Sequence, residues 1–115
     1  MSEACIFCRI VAREIPGDVV YEDDRVLAFR DLNPQAPTHV LINPNVHVAS
    51  VADIQEAHVD DLAYLLPAAA KIARDQGTAD SGFRLTINTG AGAGQSVFHL
   101  HMHLLGGREF SWPPG

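Results

Sequence analysis

The stretch Val97-Phe98-His99-Leu100-His101-Met102-His103-Leu104-Leu105 alternates imidazoles with apolar side chains, and its reading decides the fold. Successive side chains of a β-strand point to opposite faces. A strand over 97–105 therefore sets His99, His101 and His103 on one face, and Phe98, Leu100, Met102 and Leu104 on the other, against a core. Neighbouring histidines on that face stand roughly 7 Å apart, from a rise of about 3.3 Å per residue. Three roles suit such a face. It is a hydrogen-bonding polar surface, a metal site on His-x-His spacing, or a nucleophilic imidazole with helpers, since imidazole titrates near neutrality.

Directly upstream, residues 89–96 form a glycine-rich run containing Gly90, Gly92 and Gly94 and ending in Gln95 and Ser96. Glycines let backbone N–H groups turn toward an anion without side-chain obstruction. The run matches neither the P-loop nor the dinucleotide-binding pattern. Residues 85–107 contain no Asp, Glu, Lys or Arg. A phosphate ester bound there would be held by amide dipoles, Asn88, Ser96 and imidazoles.

Outward from this segment, the pattern predicts a short helix over 6–14, ended by Ile15-Pro16-Gly17. Strands are expected over 19–21 and 25–29, around a polar turn, and over 38–42, stopped by Asn43-Pro44-Asn45. A long helix starting between 53 and 59 should run to Gln76, capped by Gly77 and kinked at Pro67. Its apolar stripe reads Leu62, Leu65, Leu66, Ala69, Ile72 and Ala73. A fourth strand is expected over 83–88. The class is α+β: one domain over 1–115, with a five-stranded antiparallel sheet, one long helix and one short helix. Exposed sheet edges and the apolar helix lead us to expect a dimer.

The chain has 115 residues, with 8 Lys plus Arg against 14 Asp plus Glu, for a net charge of −6. That balance argues against a nucleic-acid backbone binder, which needs a basic footprint. The apolar run 62–70 contains Pro67 and is too short for a bilayer, and the N-terminus lacks an export pattern. A cytoplasmic protein without a membrane partner is expected. Its two cysteines, Cys5 and Cys8, stand at Cys-x-x-Cys spacing, which in a reducing compartment reads as a metal or redox pair.

The segment His99-Leu100-His101-Met102-His103-Leu104-Leu105 resembles the His-x-His-x-His-x-x signature of the histidine triad (HIT) superfamily. Tyr21-Glu22-Asp23-Asp24, Ala28-Phe29-Arg30-Asp31, Pro34-Gln35-Ala36-Pro37-Thr38-His39, Gly94-Gln95-Ser96-Val97 and the ending Trp112-Pro113-Pro114-Gly115 are similar to its HINT branch of nucleotide-binding proteins. The resemblance implies a homodimer whose two sheets join into ten strands. It also implies hydrolysis of P–N bonds in purine nucleoside 5′-phosphoramidates, with AMP as the bound nucleotide, no organic cofactor and no metal in the chemistry. By the same resemblance, His101 is the nucleophile on phosphorus, His103 lies beside the phosphate, and His39 supports His101 and the proton relay. Ser96, Gln95, Gly94, Val97 and Asn88 surround the phosphate and leaving group. Asp31 accepts the ribose hydroxyls, and Phe7, Ile10, Ile15, Phe29 and Leu32 form the base pocket. Trp112 reaches the partner subunit's site. Family members with both cysteines imply a structural zinc on Cys5, Cys8, His47 and His99; His58 joins none of these sets. Three other functions stay open: a non-catalytic nucleotide-binding scaffold, a dinucleotide polyphosphate hydrolase, and a metal-dependent hydrolase that a chelator would stop.

Overall fold

The Cys5 thiol accepts the Cys8 amide at 3.2 Å and so caps a short helix, α1 (Ile6–Val11). The computed structural model describes residues 5–115. Helix α1 ends earlier than expected, because Arg13 turns to φ 65°. Strands β1 (Val19–Glu22), β2 (Val26–Arg30) and β3 (Thr38–Pro44) follow. Next come helices α2 (Glu56–Leu62) and α3 (Leu65–Asp75), and strands β4 (Phe83–Thr86) and β5 (Met102–Gly106). The sheet order is β1-β2-β3-β5-β4, and every neighbouring pair is antiparallel.

Period-two alternation sends Val26, Ala28, Val40, Ile42, Met102 and Leu104 to one face, where they form a core with Leu65, Ala68, Ala69, Ile72 and Ala73 of α3. Leu27, Phe29 and Leu41 point the other way and pack on Phe7 and Ile10 of α1. Both faces of β3 are therefore covered, and every one of its residues is buried. The site lies on the α1 face.

Other expectations change too: β3 runs on to Pro44, and β4 ends at Thr86. The long helix is divided at Ala63–Tyr64, because Pro67 has no N–H for the Ala63 carbonyl one turn back. Leu66 is exposed, and Ala68 takes its place in the buried stripe. The last strand starts at Met102 rather than 97. Pairing ends at Ile42 with Met102. Beyond it the Pro44 carbonyl accepts the His99 side chain at 2.8 Å, and the Leu100 amide goes to the Val48 carbonyl at 2.7 Å. In consequence Phe98 is half exposed instead of in the core.

Candidate active site and a four-donor cluster

His103 is on β5 and His39 on β3, with Leu41 directly opposite His103 and His39 diagonal to it on the same face. That diagonal brings His39 Nε2 within 2.9 Å of His103 Nδ1. His39 thus bonds to His103, whose ring in turn lies beside that of His101. The direction of this bond follows from its far end. The Gln35 amide donates to His39 Nδ1 at 3.0 Å. In the neutral ring His39 must then carry its proton on Nε2 and donate it to His103 Nδ1. The remaining N–H of His103, at Nε2, is left for a ligand.

His101 is oriented oppositely. Its Nδ1 donates to the His99 carbonyl at 2.8 Å, a carbonyl being an acceptor only. Neutral His101 therefore keeps a free lone pair on Nε2. The Phe7 ring meets His101 edge-on at 5.0 Å, and the His101 and His103 rings also lie 5.0 Å apart, closer than the backbone spacing suggests. Burial, with the neighbouring His101 and His39, pushes the His103 pKa down to about 4. Burial also lowers His39, against the opposing pull of Asp31, whose carboxylate lies 3.4 Å from His39 Nε2.

A cavity of about 280 Å³ opens over these groups. Of the residues expected at a nucleotide site, Phe7, Ile10, Phe29, Asp31, Leu32, Ser96, Val97, His101 and His103 line it. Leu32 is 99% exposed, so it stands at the rim and shields nothing in the single chain. Ile15, Asn88, Gly94 and Gln95 are outside the described lining. Ile15 packs beside the α1 cluster instead. Gln95 is buried and its side chain is spent on the backbone: Oε1 accepts the Gly90 amide, and Nε2 donates to the Ala49 and Val97 carbonyls. It shapes the glycine loop and offers no side-chain group to a ligand. Ile6, Pro16, Gly17, Asp18, Arg30 and Leu41 also line the cavity and were not anticipated. Leu41 was legible, because it shares the face of His39 by period two. Asp18 and Arg30 pair with each other at 3.4 Å, a contact between residues too far apart in sequence for local pattern to reveal. Trp112 lies exposed in the tail. His58 is not idle: its Nδ1 accepts the Gln55 amide and caps α2.

Behind the cavity, Cys5, Cys8, His47 and His99 bring one donor atom each within 4.8 Å of all the others, an arrangement that could hold a metal ion. His99 Nδ1 is 3.4 Å from each thiol and 3.2 Å from His47 Nδ1. Because His99 Nε2 donates to Pro44, its Nδ1 is the bare nitrogen, as a ligating imidazole requires. Two thiols and two imidazoles are a donor set suited to zinc. Burial beside Cys5 pushes the Cys8 thiol up to about 11 and burial pushes His99 down to about 4, so these two donors are uncharged at neutral pH without a cation.

The HIT domain family model matches residues 12–110. The chain is 53% identical over 108 residues to a purine nucleoside phosphoramidase of Escherichia coli K12, covering 94% of this chain and 91% of that protein. It is 53% identical over 112 residues to a 14 kDa zinc-binding protein of Zea mays, covering 96% and 87%. A solved HIT family hydrolase from Legionella pneumophila Philadelphia 1 superposes with a TM-score of 0.93 at 50% identity, covering 96% of this chain and 99% of that one.

Proposed function

The chain belongs to the HIT domain family, and on that footing we propose that it hydrolyses purine nucleoside 5′-phosphoramidates through a nucleotidyl intermediate on His101. The observation that carries this reading is the 2.8 Å bond from His101 Nδ1 to the His99 carbonyl, which leaves Nε2 unprotonated on a ring that lines the cavity.

The Nε2 lone pair attacks the α-phosphorus. A P–N bond to the imidazole forms as the P–N bond to the amine breaks, and the departing amine takes a proton from solvent beside the Ser96 hydroxyl. Water then attacks the phosphorus, His101 leaves with its lone pair restored, and AMP is released. Throughout, His103 donates its Nε2–H to a phosphate oxygen, held in that role by His39. Asp31 accepts the ribose hydroxyls, while Phe7, Ile10 and Phe29 cover the base.

Cys5, Cys8, His47 and His99 would hold a zinc ion whose chemistry is structural, with four protein donors and none of them a cavity group. We further propose a homodimer, in which the exposed Trp112 of one chain approaches the cavity of the other, and a cytoplasmic location, where the thiols stay reduced.

A stalled turnover with an adenosine phosphoramidate should yield an adenylyl adduct that peptide mass mapping assigns to His101. His101→Gly should lose turnover by at least about a thousandfold, the scale expected for loss of a nucleophile, while AMP affinity changes less than about threefold. An adduct elsewhere, or unchanged turnover in His101→Gly, overturns the assignment.

A further inference from the structure

The four-donor cluster draws on three separate segments, and each of them also shapes the active site. Cys5 and Cys8 belong to the helix that carries Phe7 and Ile10, the wall of the cavity. His99 supplies the carbonyl that fixes His101 Nδ1. The His47 segment holds the Leu100 amide through Val48 and Gln95 through Ala49. We propose that this cluster is a positioning device for the reaction: closing its four donors around one divalent cation sets both the tautomer of His101 and the α1 wall, so that cation and nucleotide bind with positive coupling. The proposal rests on the phosphoramidase reading and adds regulation to it.

Two physical arguments support the link. Helix α1 has 6 residues, far below the roughly 12–15 needed for a helix to persist alone in water. Its order depends on Phe7, Ile10 and the cluster at its start. His101 is the second case. If His99 swings out of the cluster its carbonyl moves, and the His101 Nδ1–H loses its acceptor. The ring is then free to shift its proton to Nε2, the nitrogen needed as nucleophile, and the competent fraction falls. The main core lies on the other face of the sheet, mostly between β2, β3, β5 and α3; it holds no α1 residue, although Val48 and Leu100, beside His47 and His99, belong to it. Opening the cluster should therefore disorder the site while leaving the sheet folded.

The test compares cation-free protein with the same protein reloaded with Zn2+. Calorimetry with AMP should show binding weakened about tenfold without the cation, inside the roughly 5- to 150-fold span usual for coupled sites. Ring nitrogen NMR should show His101 in one tautomer when loaded and in two when stripped. Amide exchange at residues 6–11 should accelerate at least about tenfold, with β5 unchanged. By reciprocity, saturating AMP should slow zinc transfer to a chromogenic chelator and tighten zinc by the same factor. Cys8→Ser, close in size, should reproduce the stripped behaviour at low zinc and recover at high zinc. Equal AMP affinity in both forms with His101 in one tautomer overturns the proposal. So does loss of the whole fold on stripping, which would make the cluster a general clip. If loaded protein binds no AMP, the phosphoramidase reading falls instead, while the tautomer and exchange measurements still decide the coupling.

Discussion

His39, His99 and His101 each have one nitrogen committed to a backbone partner, and that commitment separates chemically identical side chains. His99 donates from Nε2 and keeps Nδ1 bare, whereas His101 donates from Nδ1 and keeps Nε2 bare. His39 accepts at Nδ1 from Gln35 and passes its own proton to His103. A charged His103 would set two N–H groups against each other, which agrees with a pKa near 4. The consequence for stability has a definite sign. An unfolded histidine takes its proton near pH 6.5, while folded His103 waits until about 4. In that window the unfolded chain binds more protons, so stability is lost as pH falls through it, at up to about 1.4 kcal/mol per pH unit for one such group, and nothing is gained above it. Denaturation midpoints of cation-free protein should show this slope, to which His99 adds its own share, and His103→Gln, which can still accept from His39, should make it shallower. A slope identical in the two proteins contradicts the assignment.

At the scale of elements, much of the site was readable from pattern, and the misreadings have local causes. Alternation predicted Met102, His103 and Leu104 correctly because a regular strand underlies them. It failed at Phe98, which is half exposed, although Leu100 still reaches the core; there side-chain and turn contacts of Pro44 and Val48 take over the backbone partners. The break between α2 and α3 follows from Pro67, but the missing bond falls one turn before the proline, so the disruption appears at Ala63. The resemblance places Gln95 near the phosphate, and pattern alone leaves its side chain looking free. Only the folded chain shows the three carbonyl and amide groups that claim it. Two substitutions test the packing. Ile72→Ala, at a position 1% exposed, should cost about 2–5 kcal/mol in chemical denaturation. Gly106→Ala would drive a methyl to within 2.6 Å of Thr78 Cγ2 and 2.8 Å of its Cβ. Thr78 is buried and anchored on the Ala73 carbonyl. That variant should lose about 1–3 kcal/mol and several degrees of melting temperature. Near-neutral results would mean that the β5 end moves away from the turn after α3.

The whole molecule is a sheet with one greasy layer and one chemical layer, joined at β3, the strand with two covered faces. Strand β4 closes one side of the sheet, its outer edge unpaired among the described residues, and Val59, Leu66 and Ile87 add exposed apolar surface. Such an edge is a template for pairing. Sedimentation at micromolar concentration should give twice the 12.4 kDa chain mass, and a monomer there would contradict the dimer. Within the chain, the loop after β2 has a reach beyond its own length. Arg108, after β5, holds the Gln35 carbonyl at 2.9 Å, and the Gln35 amide faces His39. A backbone amide can give a proton but never accept one in its place. The row from Gln35 through His39 to His103 is therefore polarised in a single sense for as long as the protein is folded. At its open end the cavity can greet an oxygen with lone pairs, and it turns away any group that presents an N–H of its own, at a penalty of about 1–3 kcal/mol for the clash of unpaired donors. Ligand choice at the phosphate is thus written by a main-chain group that no ligand touches.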